Sequence, residues 1–273
     1  MRKKIPLILS ALLFLAFFVP QSFGRDDVRS DVSQDLSAKP YSQAEQESEL
    51  FEKRFLELIK MSVEKYKDIS SLDPLFVLAL IKAESNFGKY EISSSGAAGP
   101  AQLMPFTAEE MGMKVFFPYY YQIALDEREM AAKYYARAKE AASKISFENS
   151  PEENERLASQ VKLYREIGSW HEAQAKSLFQ RYKEELLSKV KDKTDEELME
   201  IDQRFIVPLA IDVCVRILAN NARKLNGDHR ELASSYNAGL SAVISSGGIP
   251  FINQTVTFQN RVMRFYREYL KDG

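Results

Sequence analysis

Glu84-Ser85, followed twelve residues on by Gly96-Ala97-Ala98-Gly99-Pro100-Ala101-Gln102-Leu103-Met104-Pro105, is the stretch on which the reading of this chain turns. The run just before it, Leu75-Phe76-Val77-Leu78-Ala79-Leu80-Ile81, is apolar on nearly every side of a helix. That pattern predicts a helix over 74–86 lying inside a domain. Asp73 can cap it, and Pro74 suits its first position, where the missing N–H would have had no partner. Glu84 therefore stands where a buried helix stops. The glycine-rich segment that follows reaches dihedrals closed to other residues, so it can turn back beside the carboxyl and bring the Gln102 amide and the Met104 thioether with it. An apolar setting disfavours the carboxylate and raises its pKa, which is what a general acid needs. The spacing carries the meaning; a Glu-Ser pair alone would not.

Outward from this stretch the chain reads as helices. A helix over 48–67 has Phe51, Phe55, Leu58, Ile59, Ser62 and Tyr66 on one face. Pro105 and Thr107 open a short helix. The charged segment 113–200 predicts a helix over 126–146, a break at Asn149-Ser150-Pro151, and a long helix over 152–190. In the latter Leu157, Val161, Tyr164, Gly168, His171, Ala175, Leu178 and Tyr182 alternate steps of four and three, a coiled-coil seam weakened in its middle by Gly168 and His171. This is a helical hairpin, either a solvated support or a docking arm for an envelope protein or a lid. Further helices are expected over 203–225, 230–236 and 256–270. With no alternating strand, the fold class is all-α.

The 273 residues and 45% hydrophobic content suffice for a packed core. A net charge of −2 argues against nucleic acid and against an acidic membrane surface as partners. Met1-Arg2-Lys3-Lys4, the apolar run 5–19 and Ser22-Phe23-Gly24 have the layout of a secretory signal peptide over 1–24, too short to span a membrane comfortably. Residues 25–46, rich in Asp, Ser, Gln and Arg, read as a disordered linker. Cys214 is the single cysteine, in an apolar helical run, so it forms no internal disulfide and is expected buried and inert. His171 and His229 are the only histidines and lie far apart; no metal cluster and no cofactor are expected. An exported, periplasmic or secreted protein of the cell envelope fits these features.

The motif stretch resembles the soluble lytic transglycosylases, goose-type lysozyme-like enzymes that cut peptidoglycan. Their pattern reads here as Glu84-Ser85, Ser93, Gly96-Ala97-Ala98-Gly99, Gln102, Met104-Pro105 and Thr107-Ala108. Two more blocks follow in the family's order, Ala233-Ser234-Ser235-Tyr236-Asn237-Ala238-Gly239 and Gly247-Gly248-Ile249-Pro250-Phe251. The resemblance covers 72–112 and 202–270. It implies a lysozyme-like catalytic domain built from 47–112 and 201–273, with the hairpin 113–200 inserted. It implies cleavage of the β-1,4 bond between N-acetylmuramic acid and N-acetylglucosamine, closing a 1,6-anhydro ring, with Glu84 first acid and then base.

Ser93, Gln102, Met104, Tyr236 and Asn237 are the implied substrate-binding residues. Each also has a plain reading: Ser93 a polar turn residue, Gln102 part of the turn, Met104 ordinary core, and Tyr236-Asn237 a helix-ending turn served by Gly239. Several supporting positions depart from the family. Pro100-Ala101 replace Leu-Met, Ile217 a tyrosine, Gln254 a glutamate, and Phe258-Gln259 a Tyr-Val pair. Two other functions are compatible with the residues: a hydrolase acting on the same bond, and a non-catalytic glycan-binding or scaffold protein working through the hairpin.

Overall fold

The computed structural model describes residues 43–272, with side chains for 50–271. The segment read as a signal peptide and most of the one read as a linker lie outside the described residues. Helix α1 (Gln43–Tyr66) begins four positions inside the stretch expected to be linker.

Every regular element described is helical. Strand-like pairing is confined to two isolated bridges, Ile92 with Ala98 and Ala98 with Leu103. The chain divides into two compact units, Gly88–Ala210 and, among the described residues, 43–87 with 211–272. The glycine turn thus shares a unit with the helical hairpin.

In the unit of 43–87 and 211–272, α2 (Pro74–Ser85) is the central rod. Asp73 caps it, its carboxylate accepting from the Leu75 amide at 2.8 Å. Phe76, Val77, Leu78, Ala79, Leu80, Ile81 and Ala83 are all buried, as the all-round apolar pattern predicted. Around it stand α1, most of α7 (Val207–Lys224), α8 (His229–Ala238), the short α9 (Leu240–Ser246) and α10 (Asn253–Asp272). Helix α2 packs on α1 and α10, and α8 on α9 and α10. Polar ties fix these faces: Lys82 meets Glu52 at 2.9 Å, the Tyr269 hydroxyl donates to Glu52 at 2.7 Å, and the Tyr266 hydroxyl donates to Asp73. His229 stacks on Phe76, ring centres 4.5 Å apart.

In the unit Gly88–Ala210, α3 (Pro105–Glu110) follows the glycine turn. The hairpin then runs out along α4 (Tyr119–Ser143) and back along α5 (Pro151–Val190). Ser150 caps α5 at the predicted break, accepting from the Glu153 amide at 3.2 Å. Within the row of four-and-three spacing, Leu157, Gly168, Ala175 and Tyr182 are buried and the rest half-buried, and this face lies along α4. Its two weak points have local reasons. A side chain at Gly168 would meet the Tyr135 ring at 2.9 Å, and Tyr135 donates to Glu172 at 2.6 Å. His171 bonds Glu127 at 2.6 Å through Nδ1 and stacks on Tyr134.

The single helix expected over 203–225 is instead two elements, a 3-10 turn over Gln203–Phe205 and α7, and a short helix that was not expected, α6 (Asp195–Ile201), precedes them. Asp202 is extended (φ −160°), and its carboxylate accepts from the Arg204 amide. That local bond competes with a helical path. Helix α6 carries a capping box, Thr194 with Glu197, a legible start signal in a stretch where no separate helix was expected.

Candidate active site

Glu84 occupies the last turn of α2, whose C-cap Asn86 takes the left-handed conformation (φ 50°). Phe87 does the same at φ 65°, which for a bulky residue costs on the order of 1–2 kcal/mol. What holds it there is burial: Phe87 is 3% exposed and its ring sits 4.9 Å from that of Phe55. The strained pair ends the helix abruptly and leaves Glu84 half-buried. Burial pushes its carboxyl up to about 8, with the Arg261 charge pulling modestly the other way. At neutral pH the group is mostly protonated.

Two side chains of the same unit approach it. The Tyr236 phenol of α8 is raised well above its usual range by burial, by Cys214 and by the nearby Glu84 charge, so it stays a neutral donor. Cys214 of α7 is fully buried, hydrogen-bonded to Tyr236 and likewise within the field of Glu84; burial raises its thiol to about 12. The expectation of a buried, unreactive thiol fits that environment. What sequence reading missed is that the thiol holds Tyr236. Asn237 is half-buried, and its Oδ1 accepts from the Thr255 hydroxyl of α10 at 3.0 Å. This bond fixes which end of the amide faces outward. Glu84, Tyr236 and Asn237 therefore belong to one unit, joined by Cys214, Thr255 and Arg261, none of which was singled out as a site residue.

Ser93, Gln102 and Met104 belong to the other unit, on the glycine turn. The Ser93 hydroxyl accepts from the Ser95 and Ala97 amides at 3.2 and 3.0 Å, closing the turn while keeping its own proton to donate. Gln102, left-handed at φ 47°, spends its amide N–H groups on the Glu91 and Gly99 carbonyls at 3.0 and 2.9 Å. Its carbonyl oxygen is the end that remains for a ligand. Met104 is the half-buried N-cap of α3. Gly99 is obligatory: φ is +75°, and a Cβ there would lie 2.0 Å from the Arg204 carbonyl oxygen.

Among the described residues no three His, Cys, Asp or Glu side chains gather to hold a metal ion, and no helix is long and apolar enough to cross a membrane.

Residues 61–143 match the family model of the transglycosylase SLT domain. The matched segment contains the whole run from Glu84 to Ala108, so the likeness to that family rests on this part of the chain, and the helices described fit that domain's lysozyme-like all-α fold. The match supports, in general terms, a role of the lytic transglycosylase type on peptidoglycan. The downstream Tyr236-Asn237 and Ile249-Pro250 blocks lie outside the match. No curated protein and no solved structure matched the chain.

Proposed function

We propose that this protein is an exported lytic transglycosylase that cleaves the β-1,4 bond between N-acetylmuramic acid and N-acetylglucosamine, with Glu84 as the single acid and base. The observation that carries the reading is the state of Glu84: a carboxyl at the end of an apolar helix, mostly protonated at neutral pH because burial raises it to about 8. The neutral acid gives its proton to the glycosidic oxygen. The C1–O bond breaks, and its electron pair leaves with the N-acetylglucosamine O4. The muramic N-acetyl oxygen shares the charge at C1, which is why one carboxylate suffices outside the two-carboxylate scheme. Glu84, now ionised, takes the proton of the C6 hydroxyl as that oxygen attacks C1. The 1,6-anhydro ring closes, the acid is restored, and no water is consumed.

In this scheme the neutral Tyr236 phenol donates toward the carboxylate or the sugar, and Asn237, oriented by Thr255, lines the same side. Ser93 gives its proton and Gln102 its carbonyl oxygen to the glycan, while Met104 packs on a sugar face. Export by the segment 1–24 to the periplasm or exterior belongs to the same reading.

The test is mass spectrometry of purified peptidoglycan digested by the mature protein and, in parallel, by Glu84→Gln. Anhydro-muropeptides from the wild type alone are expected. Reducing-end products, heavier by one water, would mean that water replaces the C6 hydroxyl. Products from both proteins would remove Glu84 from the mechanism.

A further inference from the structure

The glycine turn is held in place largely by residues far from it in sequence. Arg204, completely buried, uses all five of its N–H groups. Two go to the Asp202 carboxylate, from Nε at 2.9 Å and Nη2 at 2.7 Å. Two go from Nη1 to turn carbonyls, Gly96 at 2.9 Å and Leu103 at 3.1 Å. The fifth goes from Nη2 to the Tyr182 hydroxyl at 2.7 Å, which in turn donates to the Phe116 carbonyl at 3.1 Å. A third turn carbonyl, that of Ser95, accepts from the Tyr121 hydroxyl at 2.7 Å. Both tyrosine rings also press on Gly96, where a Cβ would stand 2.6 Å from Tyr121 and 2.9 Å from Tyr182.

We infer that Tyr121, Tyr182 and Arg204 are positioning residues for the substrate-binding turn, and that the α4–α5 hairpin is the brace supplying two of them. The inference rests on the reading of the turn as part of the glycan site. The Leu103 carbonyl that accepts from Arg204 also accepts from the Ala98 amide at 3.1 Å, and Ala98 returns the bond to the Leu103 amide. Loosening Arg204 therefore acts directly on the bridge that shapes the turn, and with it on the Ser93 hydroxyl and the Gln102 carbonyl oxygen. Tyr121 lies on α4 and Tyr182 on α5, each reaching the turn with a side chain buried on the hairpin's inner face. A hairpin that only stabilised the fold would not need one hydroxyl on the turn itself and a second on the arginine that holds it.

The experiment compares Tyr121→Phe and Tyr182→Phe with Tyr120→Phe in the mature protein. Tyr120 is the control: its hydroxyl donates from α4 to Glu185 of α5 at 2.6 Å and does not touch the turn. Amide hydrogen exchange is read at Ala98, Gly99 and Leu103, and KM and kcat on soluble glycan strands. Either positioning variant should speed exchange at these amides about tenfold and raise KM several-fold with kcat nearly unchanged, while Tyr120→Phe does neither. Unchanged exchange in both variants, or equal loosening in Tyr120→Phe, overturns the inference. Exchange needs no turnover: a turn that loosens selectively in a protein that cleaves nothing supports the brace and removes the cleavage reading instead.

Discussion

The two units bury ionisable groups in opposite ways. In the unit of 43–87 and 211–272, Glu84 is kept uncharged: burial raises its carboxyl to about 8, and the Arg261 charge only partly offsets this. In Gly88–Ala210, Asp202 and Arg204 are both fully buried, and they meet as an ion pair at 2.7 Å with every guanidinium N–H satisfied. The first arrangement leaves a group poised to give up a proton. The second spends its charges on geometry, because a paired and fully bonded arginine can fix several carbonyls at once. One device suits an acid and the other a scaffold.

The largest effect should come from breaking the first device. Glu84→Gln keeps the shape and removes the proton, so cleavage should fall by about a thousandfold or more, with the helical circular dichroism signal unchanged. In the wild type, the rate should decline as pH rises through about 8, where the acid loses its proton. A rate still undiminished at pH 10 would mean that Glu84 does not act from its neutral form.

Breaking the second device should cost stability, and glycan binding rather than the proton-transfer step. Asp202→Ala strands the Arg204 guanidinium without its counter-charge in a site that excludes water. Urea unfolding should report a loss of about 3–5 kcal/mol, the range for removing one partner of a buried pair. A loss below about 1 kcal/mol would show that Arg204 finds other relief and that the pair is not the centre of the network.

These devices differed in how far they could be read from sequence. Glu84 was legible because its signal is local: an apolar run, a cap at Asp73-Pro74 and glycines at fixed offsets all lie within about thirty residues. The hairpin was legible because its four-and-three row repeats over much of α5. Arg204 was absorbed into the helix expected over 203–225 and Asp202 stood just before it, since nothing local marks a charged pair as buried; only the return of α4 and α5 to the glycine turn makes them so. Cys214 and Thr255 escaped for the same reason. Each acts through a neighbour, Tyr236 or Asn237, supplied by a different helix. The roles assigned to Gln102 before the fold was known also depended on which end of its amide faces outward, and that was set by the Glu91 and Gly99 carbonyls.

A gentler probe of the first device is stability against pH. The folded-state pKa of Glu84 lies above the ordinary glutamate value, so its favourable contribution is complete below about pH 4.5 and is lost as pH rises through about 8. Glu84→Gln has no such loss. At pH 9 the variant should be more stable than the wild type by roughly 1–3 kcal/mol, and the advantage should vanish near pH 4. A variant less stable than wild type at pH 9 would break the contrast between the two units, because the carboxylate would then be stabilised where it lies.

The smallest effect concerns Gln259, whose place in the family pattern is held by valine. It is 3% exposed, and its Nε2 donates to Asn260 at 2.6 Å while its Oε1 has no partner among the described residues. It lies one helical turn beyond Thr255, on the face of α10 that holds Asn237. A buried acceptor without a donor forfeits its hydration, so replacing it with an apolar side chain of similar shape should help. Gln259→Met is expected to stabilise the protein by about 1 kcal/mol in urea unfolding, at unchanged slope. If it destabilises by as much, Oε1 has a donor in solution, a buried water being the ordinary one. The unit that holds Glu84 would then satisfy its buried polar groups as fully as its neighbour does, and the contrast would narrow to the charge of the acid alone.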